Sequence, residues 1–286
     1  MKQGIIRASA PGKLILAGEY AVLDHAPALV TAVSTRARCE FNADADSKQL
    51  RILARPLSDQ PRRAILGEEL HWEDADVPLF SAAFSALSSE RRAALAGAGG
   101  DLLMDSSAFF VKETKLGLGS SAAMLTALMG VLWELSGGLP DEPEAFEALR
   151  VAHTLFQGSG SGADLAASLV GGTLLFRRDP AIRAPVSLPE SIEIIPAWTG
   201  NAASTPKFLE RLAAFEKDHH EDFLARFKVL EQEAEEVAMA AAEGNAEALL
   251  EALGDFSAGL KALGEAADMP IWGEAQRAIA AAVAAE

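Results

Sequence analysis

The 286-residue sequence holds a single cysteine, Cys39, so it can close no internal disulfide and build no cysteine-based zinc cluster. That suits a reducing compartment and excludes a small secreted scaffold. Long apolar runs are lacking too: the longest, Ala122 to Leu132, is too short to cross a bilayer. The opening stretch, "MKQGIIRASAPGKLILAGEYAVL", has no continuous apolar core ending in a cleavage site. A cytoplasmic protein with no membrane partner is expected. Positive charge is scarce, with 25 Lys and Arg against 41 Asp and Glu for a net charge of −16. Such a balance repels phosphate backbones and anionic lipid, and nucleic acid is not expected as a partner. It does not exclude a small anion, because a few lysines and helix N-termini can set a pocket's local field against the overall charge. Two common nucleotide signatures are missing, GxxxxGK[ST] and a strand-borne GxGxxG with its acidic partner.

What is present is a globular composition, half apolar and 23% charged. The length suits one large or two closely packed domains, and two are expected, 1–180 and 181–286, divided at the proline-bearing "RRDPAIRAPVSLPE". Residues 4–9 and 13–17 read as strands broken by Pro11-Gly12. "APALVTAVSTRARCEFNA", "LRILARP" and "DLLMDSSAFF" also have strand character, and "LFSAAFSALSSERRAALAG" has helical spacing. Helices are expected over about 120–136 and 142–157, and "ADLAASLVGGTLLF" reads as helix then strand. Beyond it "SIEIIPAWTG" predicts a strand, and the alanine-rich remainder amphipathic helix. Helix and strand mix without strict alternation, which favours an α+β fold over a doubly wound parallel sheet.

The stretch "KETKLGLGSSAAMLTALMGVLWEL" sets a glycine-flanked serine pair before a long apolar helix. Gly117 and Gly119 can adopt conformations closed to other residues, and Ser120 and Ser121 sit where the helix begins. A helix start offers unpaired N–H donors and partial positive charge, and a serine hydroxyl can ligate the magnesium that accompanies a nucleotide. Phosphate would suit it, although glycine and serine alone are equally compatible with a plain cap on a core helix. Three further stretches bear on the choice. "APGKLILAGEYAVL" puts Lys13 in a turn between strands, with Glu19 and Tyr20 after the second. "GSGSGADLAASLVGG" presents Asp164 from a glycine loop, and "AWTGNAASTPKFL" supplies Thr199, Ser204 and Thr205.

Together these stretches resemble the GHMP kinase family of galactokinase, homoserine, mevalonate and phosphomevalonate kinases. "APGKLILAGEYAVL" matches its N-terminal substrate segment, "GLGSSAA" its phosphate loop, and the Asp164 segment its aspartate-bearing motif. The resemblance implies an N-terminal half similar to the second domain of a ribosomal S5-type fold, packed on a ferredoxin-like C-terminal half. It further implies ATP and Mg2+ as cofactors and a small phosphorylated or hydroxylated acceptor. "HTLFQGSGSGADLAASLVGG" and "WTGNAASTP" look most like phosphomevalonate kinases. Mevalonate kinases usually place a metal-binding glutamate eleven residues before the aspartate, where this sequence has His153. The expected activity is therefore transfer of the γ-phosphoryl group to phosphomevalonate, with mevalonate, a sugar, or non-catalytic nucleotide binding as alternatives.

By the same resemblance, Asp164 would orient or deprotonate the acceptor, and Lys13 would keep it ionised and offset the transferring charge. Lys115 and Gly117, Leu118, Gly119, Ser120, Ser121 and Ala122 would hold the ATP phosphates, with Ser121 in the magnesium shell. Glu19, Tyr20, His153, Ser161, Gly162 and Ser204 would shape the acceptor end. Each has a plainer alternative taken singly: Lys13 a solvated turn lysine, Asp164 a helix N-cap, His153 a satisfied helix histidine, Thr205 a cap for "TPKFLERLAAF". The acidic run "EQEAEEVAMAAAEG" reads as one solvated helical face without metal-site spacing. Family members usually continue past a segment like "DMPIWGEAQRAIAAAVAAE" into a glycine-rich motif that this sequence does not show before Glu286; either the sequence is incomplete there or the protein differs, and only a true absence would weaken the expectation of activity more than that of ancestry.

Overall fold

A computed structural model describes residues 4–158, 160–200 and 205–283, side chains excepted at 205–207. Its strands are β1 (Ile5–Ala17), β2 (Ala28–Ala43), β3 (Gln49–Arg55), β4 (Arg62–Leu66), β5 (Leu70–Trp72), β6 (Gly100–Asp105), β7 (Phe110–Val111), β8 (Thr114–Lys115), β9 (Thr173–Arg177) and β10 (Ile182–Val186). The helices are α1 (Pro78–Ser85), α2 (Ser89–Leu95), α3 (Ser120–Leu135), α4 (Glu142–Gln157), α5 (Ala163–Val170), α6 (Thr205–Asp218), α7 (His220–Glu243), α8 (Ala246–Ala266) and α9 (Glu274–Val283). They form two compact units that interleave along the chain. The first takes the stretch up to Leu14 with Ala32–Glu113 and Gly117–Gly172; the second takes Ile15–Thr31, Thr114–Leu116 and the chain from Thr173 onward.

In the first unit the sheet runs β2-β6-β3-β4-β5. β6 lies antiparallel to β2, with Cys39 opposite Met104 and Phe41 opposite Leu102, and parallel to β3. Alternate residues Ala37, Cys39 and Phe41, Leu50, Ile52 and Ala54, and Leu102 and Met104 are buried, so one face of the sheet carries the core. α3 packs on β6 and is flanked by α1, α2, α4 and α5. Its apolar run is buried nearly all round, from Ala122 to Met129 and from Val131 to Trp133, as expected of a helix with no polar face.

The second unit pairs Ala28–Thr31 of β2 with β9, and β9 with β10, all antiparallel. Its core is helical: Leu212, Phe215, Phe223, Phe227, Leu230, Val237, Leu249, Phe256 and Leu263 cluster from α6, α7 and α8. Gly244 in the left-handed region ends α7, and the Asn245 side chain accepts from Ala248 N–H to start α8.

Four local expectations change. Pro11-Gly12 does not interrupt β1, and Lys13 sits on that strand rather than in a turn. Proline is tolerated there because β1 lies off the main strand order. The helical stretch 78–95 is two helices, since Ser88 starts α2 by accepting from Arg91 N–H. Within the "RRDPAIRAPVSLPE" connector lies β10. "SIEIIPAWTG" is not a strand; its alternation finds no ladder partner, Pro196 brings no N–H, and Ile195 is 80% exposed. The β4–β5 hairpin went unread in the sequence because its outward residues, Arg63, Ile65 and His71, mask a short pattern in which only Ala64 and Leu66 are buried.

Candidate active site

Two glycine loops of the first unit each open a helix in the same way. Gly119, at φ 73°, starts α3 and Gly162, at φ 87°, starts α5, both in the left-handed region and neither with a side-chain cap. At α3 the first intrahelical bond runs from Ala123 N–H to Gly119 C=O, which leaves the amides of Gly119, Ser120, Ser121 and Ala122 with no partner in their own helix. Gly117, at φ 81°, is exposed, and a Cβ placed on it would meet nothing within 4 Å. The loop is uncrowded at Gly117, and the unpaired amides and positive end of the helix dipole at the start of α3 are what an anion requires.

Lys13 is bound to this loop. Its backbone N–H donates to Leu118 C=O at 2.9 Å, and its aliphatic stem crosses Gly119, with Cγ 3.1 Å from where a Cβ would stand. The neighbouring Gly12 has no room for a side chain, because a Cβ there would overlap Leu118 O and lie 2.5 Å from the Phe109 ring. β1 thus seats the loop through backbone contact that only glycine at position 12 permits.

Asp164 stands in the first turn of α5 but is not its cap. Its Oδ1 accepts from Leu165 N–H at 2.9 Å, and Oδ2 lies 3.8 Å from His153 Nε2, too far for a hydrogen bond. One turn on, the Ser168 hydroxyl donates to Pro11 C=O at 2.8 Å. The helix that carries Asp164 is therefore tied to the strand that carries Lys13, two residues from the lysine. His153 is 5% exposed, and its Nε2 is buried without a hydrogen-bond partner. A carbon of its ring lies 3.5 Å from the Cβ position of Gly160, in the second loop. At the end of the same helix, Gln157 Nε2 donates to Ser121 Oγ at 2.7 Å. α3, α4 and α5 pack on one another, so both loops rest on one rigid support.

Residues 79–172, which span both loops and all three helices, match the family model described as GHMP kinases N terminal domain. Over these residues the chain is similar to the GHMP kinase family. A mevalonate kinase of Thermococcus sibiricus is 29% identical over 221 residues, 72% of this chain and 61% of that protein. A phosphomevalonate kinase of a Streptomyces species is 29% identical over 243 residues, 71% of this chain and 64% of the other. This chain thus spans about three fifths of the length of the curated relatives it matches. A Streptococcus pneumoniae phosphomevalonate kinase, solved with phosphomevalonate and AMPPNP, superimposes with a TM-score of 0.69 at 20% identity, over 90% of this chain and 80% of that one. The mixed α+β architecture is the GHMP-kinase fold.

Of the residues singled out in the sequence, the first unit gathers Lys13, Gly117 to Ala122, His153, Ser161, Gly162 and Asp164. Ser161 turns its oxygen to Ala163 N–H at 3.3 Å, a local turn bond. Lys115, Glu19 and Tyr20 belong to the second unit. There Tyr20 adopts φ 63°, and burial, with Glu19 beside it, pushes its hydroxyl up to about 12. Ser204 lies outside the described residues. Sequence reasoning gave no role to Gln157 or Ser168. Both lie in the stretch "HTLFQGSGSGADLAASLVGG", whose Gln-Gly pair is part of its likeness to phosphomevalonate kinases, but that likeness gave neither residue a contact.

Proposed function

We propose that this chain is the core of an ATP-dependent small-molecule kinase whose acceptor is of the mevalonate kind. The observation that carries this proposal is the pair of backbone and side-chain ties, Lys13 N–H to Leu118 and Ser168 to Pro11, that bring the amide mouth, the lysine and the helix of Asp164 onto one strand. Phosphoryl transfer needs little else beyond alignment and charge neutralisation.

In this scheme the amides of Gly119 to Ala122 bind the triphosphate and the Lys13 ammonium offsets charge on the transferring group. The Leu165 amide pins one oxygen of Asp164, leaving the other to orient the acceptor hydroxyl or phosphate oxygen and to accept its proton. Ser121 Oγ is a hard oxygen with one lone pair left beyond that taken by Gln157, which fits Mg2+; an ion arriving on the nucleotide would neutralise phosphate charge there.

Two acceptors have separate support. Mevalonate is favoured by the names of most curated relatives. Phosphomevalonate is favoured by His153, because an imidazole at that position cannot serve as the metal-binding carboxylate usual in mevalonate kinases. ADP release measured against mevalonate, phosphomevalonate and a phosphosugar panel separates them. Turnover is expected with one of the first two, and Asp164→Asn and Lys13→Met should each lower kcat by about 10²–10⁴-fold in folded protein. ADP production from none of these acceptors, or wild-type rates from folded Asp164→Asn, would reject the proposal.

A further inference from the structure

We infer that Gln157 is a positioning residue for the nucleotide grip, holding the Ser121 hydroxyl in one orientation at the mouth of α3. This inference rests on the assignment of that mouth to a triphosphate.

Gln157 is exposed, and its amide reaches a hydroxyl 36 residues away in sequence at 2.7 Å. An exposed glutamine loses rotamer freedom in such a bond and has water as a ready alternative, so the bond adds little to folding stability. Its effect is on geometry. The backbone at Gln157 is fixed: α4 ends at Gly158, whose N–H closes the last turn on Thr154 C=O at 2.8 Å. The turns before it are anchored by buried side chains, with Phe146, Leu149 and His153 on the same side of α4 as Gln157.

A serine hydroxyl has one proton and two lone pairs. In the first turn of a helix it can rotate freely or fold back on local backbone groups. The Gln157 amide occupies one lone pair, which turns the O–H and the second lone pair away from α4. Both then remain for a phosphate oxygen and a cation at the helix mouth. One turn earlier on the same helix, His153 faces Asp164 across 3.8 Å. α4 therefore braces the phosphate loop at one residue and the carboxylate loop at another.

Calorimetric titration of the full chain with AMP-PNP in the presence of Mg2+, without acceptor, tests this. Gln157→Leu should weaken binding by about 3–10-fold, the worth of one neutral hydrogen bond. Gln157→Glu should weaken it further, because a carboxylate cannot donate and sets a negative charge beside the triphosphate. In a Ser121→Ala background, Gln157→Leu should change affinity by less than about twofold, since the hydroxyl it acts through is gone. Wild-type affinity in folded Gln157→Leu, or an equal loss with and without Ser121, would overturn the inference while leaving the triphosphate site standing. No binding by the wild-type chain would overturn both.

Discussion

At the residue scale the site depends on positions where no side chain fits. Gly12 has the ordinary backbone of a strand, so alanine there is opposed only by space: its Cβ would run into Leu118 O and the Phe109 ring, neither of which is a flexible tip. Gly12→Ala should destabilise the protein by about 1–3 kcal/mol, the usual cost of overpacking. Because Leu118 is the residue displaced, AMP-PNP affinity should fall with it. Thermal melting and a nucleotide titration of the same variant check this, and a variant as stable and as tight as wild type would show that β1 does not seat the loop. Gly117 makes the opposite case. Nothing crowds it, and its positive φ alone calls for glycine.

At the element scale, the α7–α8 pair carries a flaw unrelated to the site. Glu233 on α7 points Oε2 into buried space without a partner, against the bare Cα of Gly259 on α8. Burial, then Asp255 and Glu236, push its carboxyl up to about 7. A carboxyl whose folded value is raised contributes stability that is fully present below about 4.5 and lost as pH climbs through about 7. Stability should therefore decline across that window, and Glu233→Gln should flatten the decline; an unchanged pH profile in the variant would remove Glu233 as its source. Gly259→Ala should expel the carboxyl into water and add helix propensity, stabilising by about 0.5–1 kcal/mol at pH 8. A destabilised Gly259→Ala would mean that the Glu233 side chain has nowhere to go.

At the scale of the whole molecule, a net charge of −16 makes the folded chain repel itself. Its ion pairs Arg51–Asp101 and Arg150–Glu147 are exposed and contribute little. Raising ionic strength from about 0.01 M to about 0.15 M shortens the screening length from about 30 Å to about 8 Å, so Tm should rise with salt. A Tm that falls instead would show that the surface pairs outweigh the repulsion. Most of this protein's character was legible in its sequence wherever cause and effect are neighbours along the chain. The glycine loops and the helices they open at Ser120 and Ala163, the buried run of α3 and the alternation of β2 all follow from local sterics and periodicity. What needs a partner was not legible. "SIEIIPAWTG" alternates like a strand yet has no ladder, and Pro11-Gly12 looks like a break yet lies inside β1. Gln157 and Ser168 took on meaning only when folding set them against Ser121 and Pro11. Hydrogen bonds between distant residues depend on where the chain returns to itself, and only tertiary packing decides that.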